Sequence, residues 1–170
     1  WTSLWAVAMA YEVRVTGNVK FDVAPPPEQL ELGQALRHGM GEARPVLLAA
    51  STREGEEALL LDALEGIAAT GLLTVIVPRH PQRFDEVARL LEARGVRYQR
   101  RSAHAATAPE TRVVLGDSMG EMFAYYAACD VAFIGGSLLP LGGQNLIEAC
   151  AVGKPVLIGP STFNFTEAVE

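Results

Sequence analysis

The stretch PVLLAASTREGEEALLLDALEGIAATGLLTVIV, residues 45–77, decides how the rest of the chain is read. Residues 46–50 are a short apolar run with no alternation, the pattern of a strand covered on both faces. Across residues 54–70, Leu60, Leu61, Leu64, Ile67 and Ala68 recur at steps of three and four, which predicts a helix with one apolar stripe. Gly71 supplies its stop. Residues 72–77 form a second apolar run. Strand, helix and strand in that order predict a parallel pair joined by a crossover.

The same alternation continues downstream. Pro81 suits the first turn of a helix, and Phe84, Val87, Ala88 and Leu91 give that helix its apolar face, with Gly95 ending it. A weaker strand is expected at 97–101, a polar-to-small loop at 102–111, and a strand at 112–115. A helix at 119–128, a strand at 131–134, a helix at 145–152 closed by Gly153, and a last strand at 155–158 follow. Upstream, 28–38 reads as a helix. The expected fold class is therefore α/β, a doubly wound parallel sheet of about six strands with helices on both faces.

Residues 13–16 alternate and read as one more strand, followed by the stiff extended spacer Pro25, Pro26, Pro27. A boundary is expected at 17–27, making 1–27 the end of an amino-terminal domain with its linker and 28–170 one ligand-binding domain. The start at Trp1 and the stop at Glu170, inside a helical pattern, are expected to be those of a piece of a longer protein, with the second domain truncated at its end. The apolar residues 2–10 fall well short of the roughly 20 that span a bilayer and lack the basic start of a signal peptide.

Hydrophobic residues make up 49% of the 170 and charged residues 20%, a globular composition. The formal net charge of −6 argues against a nucleic-acid binder, which needs a positive surface. Cys129 and Cys150 read as buried thiols of a reducing compartment. His38, His80 and His104 stand alone, so no metal site is expected.

Ligands of an open parallel sheet bind beyond the carboxyl ends of its strands. The unusual polar and glycine residues fall at those ends: Ser51, Thr52 and Arg53 after the first strand, Arg79 and His80 after the second, and Asp117 to Glu121 after the fourth. After the fifth come Gly135, Gly136, Gly142 and Gly143, and after the last Ser161 to Phe165. Glycines let backbone approach a ligand, and the loop at 135–143 leads to a helix start, a favourable place for phosphate. Asn145 and Glu148 share a face of that helix. Glu148 there can accept both hydroxyls of a ribose; equally, the pair reads as a capping box. Arg79 suits a phosphate or is simply solvated, and the cluster Arg97, Arg100, Arg101 reads as a solvated strand edge. Ser118, Met119, Gly120 and Glu121 open a helix whose N–H groups can also meet an anion. Ser51 and Thr52 offer hydroxyls to a ligand or to the following helix. Lys154 is followed by proline, so there is no Walker motif, and no G-x-S-x-G elbow marks a hydrolase.

Taken in order, TGNVKFD (16–22), STREGEE (51–57), PRHPQRF (78–84), DSMGE (117–121), GGSL and GGQNLIE (135–148) and GPSTFNF (159–165) resemble the 3-deoxy-D-manno-octulosonic acid (Kdo) transferases of lipopolysaccharide assembly. The resemblance covers residues 13–170. It implies a GT-B glycosyltransferase of two Rossmann-like domains, of which this chain is similar to the carboxy-terminal, donor-binding one. It also implies CMP-Kdo, or CMP, as ligand and no cofactor. Arg79 then meets the donor's charged groups, the Ser118-Met119-Gly120-Glu121 turn the nucleotide, and Gly136, Ser137, Asn145 and Glu148 the phosphate and ribose. Ser51, Thr52, Arg53, Gln144 and Asn164 are further candidates. Inverting transfer to lipid A precursor would use a general base, acceptor site and membrane contact in the amino-terminal domain, at the cytoplasmic face of the bacterial inner membrane, so no catalytic residue is expected in this chain. The family usually has histidine where this chain has Gln144, and often where it has Arg53. A nucleotide-sugar 2-epimerase of the same architecture, or a non-catalytic nucleotide-binding module, are the alternative readings.

Overall fold

The computed structural model describes residues 23–66 and 71–166. The strand expected at 13–16, the boundary segment as far as residue 22, and the stripe residues Ile67 and Ala68 lie outside them. The order of elements is α1 (Pro27–Met40), β1 (Val46–Thr52), α2 (Glu56–Glu65), β2 (Leu73–Pro78), a 3-10 turn (Pro81–Arg83), α3 (Phe84–Ala93), β3 (Tyr98–Arg100), a second 3-10 turn (Arg101–Ala103), β4 (Val113–Leu115), α4 (Met122–Ala128), β5 (Val131–Ile134), α5 (Ile147–Ala151) and β6 (Val156–Ile158).

The six strands form one sheet in the order β3-β4-β2-β1-β5-β6, and every pairing is parallel. Successive side chains of a strand point to opposite faces, and each face buries its own apolar set. Val46, Leu48 and Ala50 of β1, Val75 and Val77 of β2, and Ala132 and Ile134 of β5 share one core with Tyr125 and Tyr126 of α4 and Ala149 of α5. Ala49, Ile76, Leu115 and Phe133 share the other with Leu60 and Leu61 of α2 and Val87, Ala88 and Leu91 of α3. Helices on both faces are what make the central strands apolar without alternation. The fold is thus the expected Rossmann-like α/β class.

Topology places the site. From β1 the chain moves one way to β2, and from β4 it crosses back to β5 on the other side of β1. The loops after β1 and β5 therefore diverge from neighbouring strands, which opens a crevice at their carboxyl ends.

Three helices begin later than expected, the first being α2, which starts at Glu56 after Gly55 at φ +88°. Residues 119–121 precede α4, and Gly120 sits at φ +75° in an exposed turn. The last helix is only Ile147–Ala151, because Asn145 spends its side chain on a turn ahead of it. Of the two thiols, Cys129 is buried and Cys150 is exposed, which corrects the expectation for Cys150.

Candidate functional site

The glycine pairs are the two ends of one closed loop. Gly135 N–H extends the β5 ladder to Ala50 O at 2.8 Å. A side chain at Gly135 would run into Ser51 O and the Thr52 backbone, so glycine is required by close approach. The chain then turns back on itself: Gly143 N–H donates to Gly136 O at 2.7 Å and Gln144 N–H to Gly135 O at 2.9 Å. Gly136, Gly142 and Gly143 take φ of 70°, 85° and 77°, which only glycine adopts without strain.

Beneath this loop lies Glu56, fully buried in the first turn of α2. Its Oε2 accepts N–H from Arg53 at 2.8 Å and Gly136 at 2.6 Å, and its Oε1 accepts from Ser137 and Leu138, both at 3.0 Å. Its neighbour Glu57 is also buried, paired in two-pronged fashion with Arg83 and accepting the Thr52 hydroxyl at 2.7 Å. Both stand in the STREGEE stretch (51–57), yet neither is given a role by the sequence, because two glutamates at a helix start suit the helix dipole wherever they point. The available signal was the accounting problem posed by successive loop N–H groups, which buried backbone has to satisfy somewhere.

Above the loop, four expected residues meet. Arg79 lies exposed after β2, its backbone N–H tied to Thr52 O at 3.0 Å and its Nε donating to Gln144 Oε1 at 3.1 Å. Asn145 Oδ1 accepts N–H of Ile147 at 3.0 Å, and its Nδ2 donates to Glu148 Oε1 at 3.1 Å. Glu148 is half-buried. Desolvation raises its carboxyl pKa above the ordinary value, opposed by the Asn145 amide and the charge of Arg79. The capping-box geometry is therefore absent: Leu146 is the N-cap and has no side-chain cap bond, Asn145 turns the chain one residue earlier, and Glu148 engages the side chain of Asn145 and not its backbone.

A second group forms after β4. Burial pushes the Tyr125 phenol up, keeping its proton. Tyr125 Oη lies 2.5 Å from Ser118 Oγ, which donates to Glu121 Oε2 at 2.6 Å, and Arg101 donates to Glu121 Oε1 at 3.2 Å. Met119 and Gly120 form the exposed tip of the turn. Arg100 bridges Asp85 and Asp117. Two arginines read as a solvated edge, Arg100 and Arg101, are thus ion-paired braces of the rim.

Among the remaining candidates, the side chains of Ser137, Thr52 and Asn164 hydrogen-bond within the protein. Ser137 is fully buried, donating to Ile134 O at 2.5 Å and accepting Gly159 N–H at 2.8 Å. The buried Thr52 hydroxyl donates to Glu57 in the first turn of α2, the helix-side partner of the two expected for it. Ser51 is half-buried at φ +55°, ending β1. Asn164 donates from Nδ2 to Leu141 O at 3.1 Å and from its backbone to Gly142 O at 3.0 Å, lacing the loop after β6 onto the glycine loop. Arg53 is half-buried beside Gly55.

No family model matches the chain. Among curated proteins it is 53% identical over 169 residues to a 3-deoxy-D-manno-octulosonic acid transferase of Bordetella pertussis, covering 96% of this chain and 39% of that protein. It is 41% identical over 158 residues to the Haemophilus influenzae protein of the same name, covering 92% of this chain and 37% of that one. A crystal structure described as the C-terminal CMP-Kdo binding domain of WaaA from Acinetobacter baumannii superposes with a TM-score of 0.79 at 37% identity, over 84% of this chain and 76% of that chain.

The chain belongs to the Kdo transferase family.

It spans about two fifths of the length of the curated Kdo transferases it matches, and it shares its fold with the Acinetobacter baumannii domain. Among the described residues no helix is long and apolar enough to cross a membrane.

Proposed function

We propose that the rim over the β1–β5 crevice binds CMP-Kdo, and that this chain is the donor half of a GT-B enzyme transferring Kdo, with inversion, to a lipid A precursor. The observation that carries the reading is the convergence of Arg79 from the loop after β2 with Gln144, Asn145 and Glu148 from the entry into α5. Nη1 and Nη2 of Arg79 carry no hydrogen bond among the described residues, which leaves the guanidinium fork for the donor's phosphate or carboxylate. Glu148 is the carboxylate for the ribose hydroxyls. The exposed Met119–Gly120 tip, braced through Ser118 and Glu121, lies against the nucleotide.

The chemistry on this side of the cleft is binding and orientation. Arg79 neutralises donor charge and Glu148 fixes the sugar of the nucleotide, so that the anomeric carbon faces the opposite domain. That domain supplies the general base that deprotonates the acceptor hydroxyl, the acceptor site, and the contact with the cytoplasmic face of the inner membrane. Gln144 keeps a hydrogen bond to Arg79 where the family usually has histidine, but it carries no proton at neutral pH.

Calorimetry on this chain tests the reading. CMP is expected to bind, with UDP much weaker and with no Kdo transfer by the chain alone. Arg79→Ala is expected to weaken CMP by about tenfold, the loss of one charged hydrogen-bonding partner, without lowering the melting temperature. Tight UDP binding with no CMP binding would overturn it in favour of a UDP-sugar enzyme such as a 2-epimerase.

A further inference from the structure

The N–H groups of Gly136, Ser137 and Leu138 converge on a single anion, as a phosphate-binding nest does. Here that anion is the protein's own. Glu56 fills the nest with both carboxylate oxygens, each taking two N–H donors, and it is completely buried. A carboxylate held by backbone dipoles in a dry site is a strong and geometrically demanding contact. It ties the end of β1 and the start of α2 to the loop whose far end presents Gln144, Asn145 and Glu148. A Cβ at Gly136 would lie 3.1 Å from Gln144 Nε2, so the nest and the rim residues are in direct contact.

We propose that Glu56 is a positioning residue for the donor site, an internal stand-in for a phosphate. It holds the glycine loop in the shape that sets Gln144, Asn145 and Glu148 opposite Arg79, and it closes the nest to the donor, whose anionic groups are left to side chains of the rim. The proposal rests on the donor reading above for its ligand, but the occupied nest stands on geometry alone.

The first test needs only the unaltered chain, amide-labelled for NMR and titrated with CMP. The Arg79 Nε resonance is expected to shift while the Gly136, Ser137 and Leu138 amides keep the low-field positions of carboxylate-bound N–H. Large shifts of those three amides would show phosphate entering the nest and would overturn the proposal. If CMP moves nothing, the donor reading falls, and the position of the three amides still tests Glu56.

The second test uses variants. Glu56→Gln keeps shape and volume but turns an NH2 toward two N–H donors, and is expected to lose at least tenfold in CMP affinity while unfolding remains cooperative. Glu56→Ala leaves a gap of about the size of acetate, so formate or acetate is expected to restore part of the CMP affinity and the low-field amides, with no effect on the unaltered chain. Wild-type affinity in Glu56→Gln, or no rescue of a folded Glu56→Ala, would refute the positioning role.

Discussion

Arg83 and Glu57 form a two-pronged ion pair beneath the rim, with Nη1 2.7 Å from Oε1 and Nη2 3.0 Å from Oε2, and the glutamate side chain is 1% exposed. The pair clamps the 3-10 turn after Arg79 onto the first turn of α2. The loops that follow β1 and β2 are thereby fixed relative to each other.

Removing one partner of such a pair strands a buried charge. Arg83→Met is expected to cost about 3–5 kcal/mol of stability, read from urea unfolding. The double variant Arg83→Met with Glu57→Gln should recover a large share of that loss. Equal stability of the single and double variants would show that Glu57 is not desolvated in solution.

Glu148 should trade stability for binding. Its pKa is raised in the folded state, so the folded chain holds this proton more tightly than the unfolded chain does. The group thus favours folding while protonated, and that contribution is lost as pH rises from the ordinary 4.5 through the raised value. The stability of the wild type relative to Glu148→Gln is expected to fall across that window and level off above it, in urea unfolding at a series of pH values. At neutral pH the same variant should bind CMP more weakly by about 1–3 kcal/mol, the worth of hydrogen bonds to a charged group. A flat pH dependence, or undiminished CMP affinity, would contradict one half of this account each.

Two glycines of the rim should respond differently to alanine. At Gly135 a methyl group meets backbone of β1, so overpacking of about 1–3 kcal/mol is expected, together with displacement of the glycine loop and loss of CMP binding. At Gly120 the space is open and only the positive φ resists, at a cost of about 1 kcal/mol. Thermal melts of the two variants check the order.

The cysteines should react separately. Burial pushes the Cys129 thiol up to about 11, whereas Cys150 is exposed. A thiol reagent at neutral pH is expected to modify one cysteine per folded chain quickly, and the second only on unfolding, because the thiolate is the reactive form. Two fast equivalents would place Cys129 at the surface.

The strands around residues 46–50, 73–77 and 131–134 were legible because burial on both faces leaves an unbroken apolar run, and the α2 and α3 stripes because a helix repeats every 3.6 residues. The rim was legible as a set of loops, since unusual residues gather where parallel strands end. Local spacing carried no further. It left the Thr52 hydroxyl open between a ligand and the following helix, where the structure has it donate to Glu57, and it gave no role to the buried Glu56 and Glu57. Whether a carboxylate is a surface charge or the filling of a backbone nest depends on which N–H groups arrive beside it, and Gly136, Ser137 and Leu138 come from 80 or more residues away. Periodicity is a property of neighbouring residues and is written in the chain; the partners of a buried charge are set by strand order, which tertiary folding alone decides.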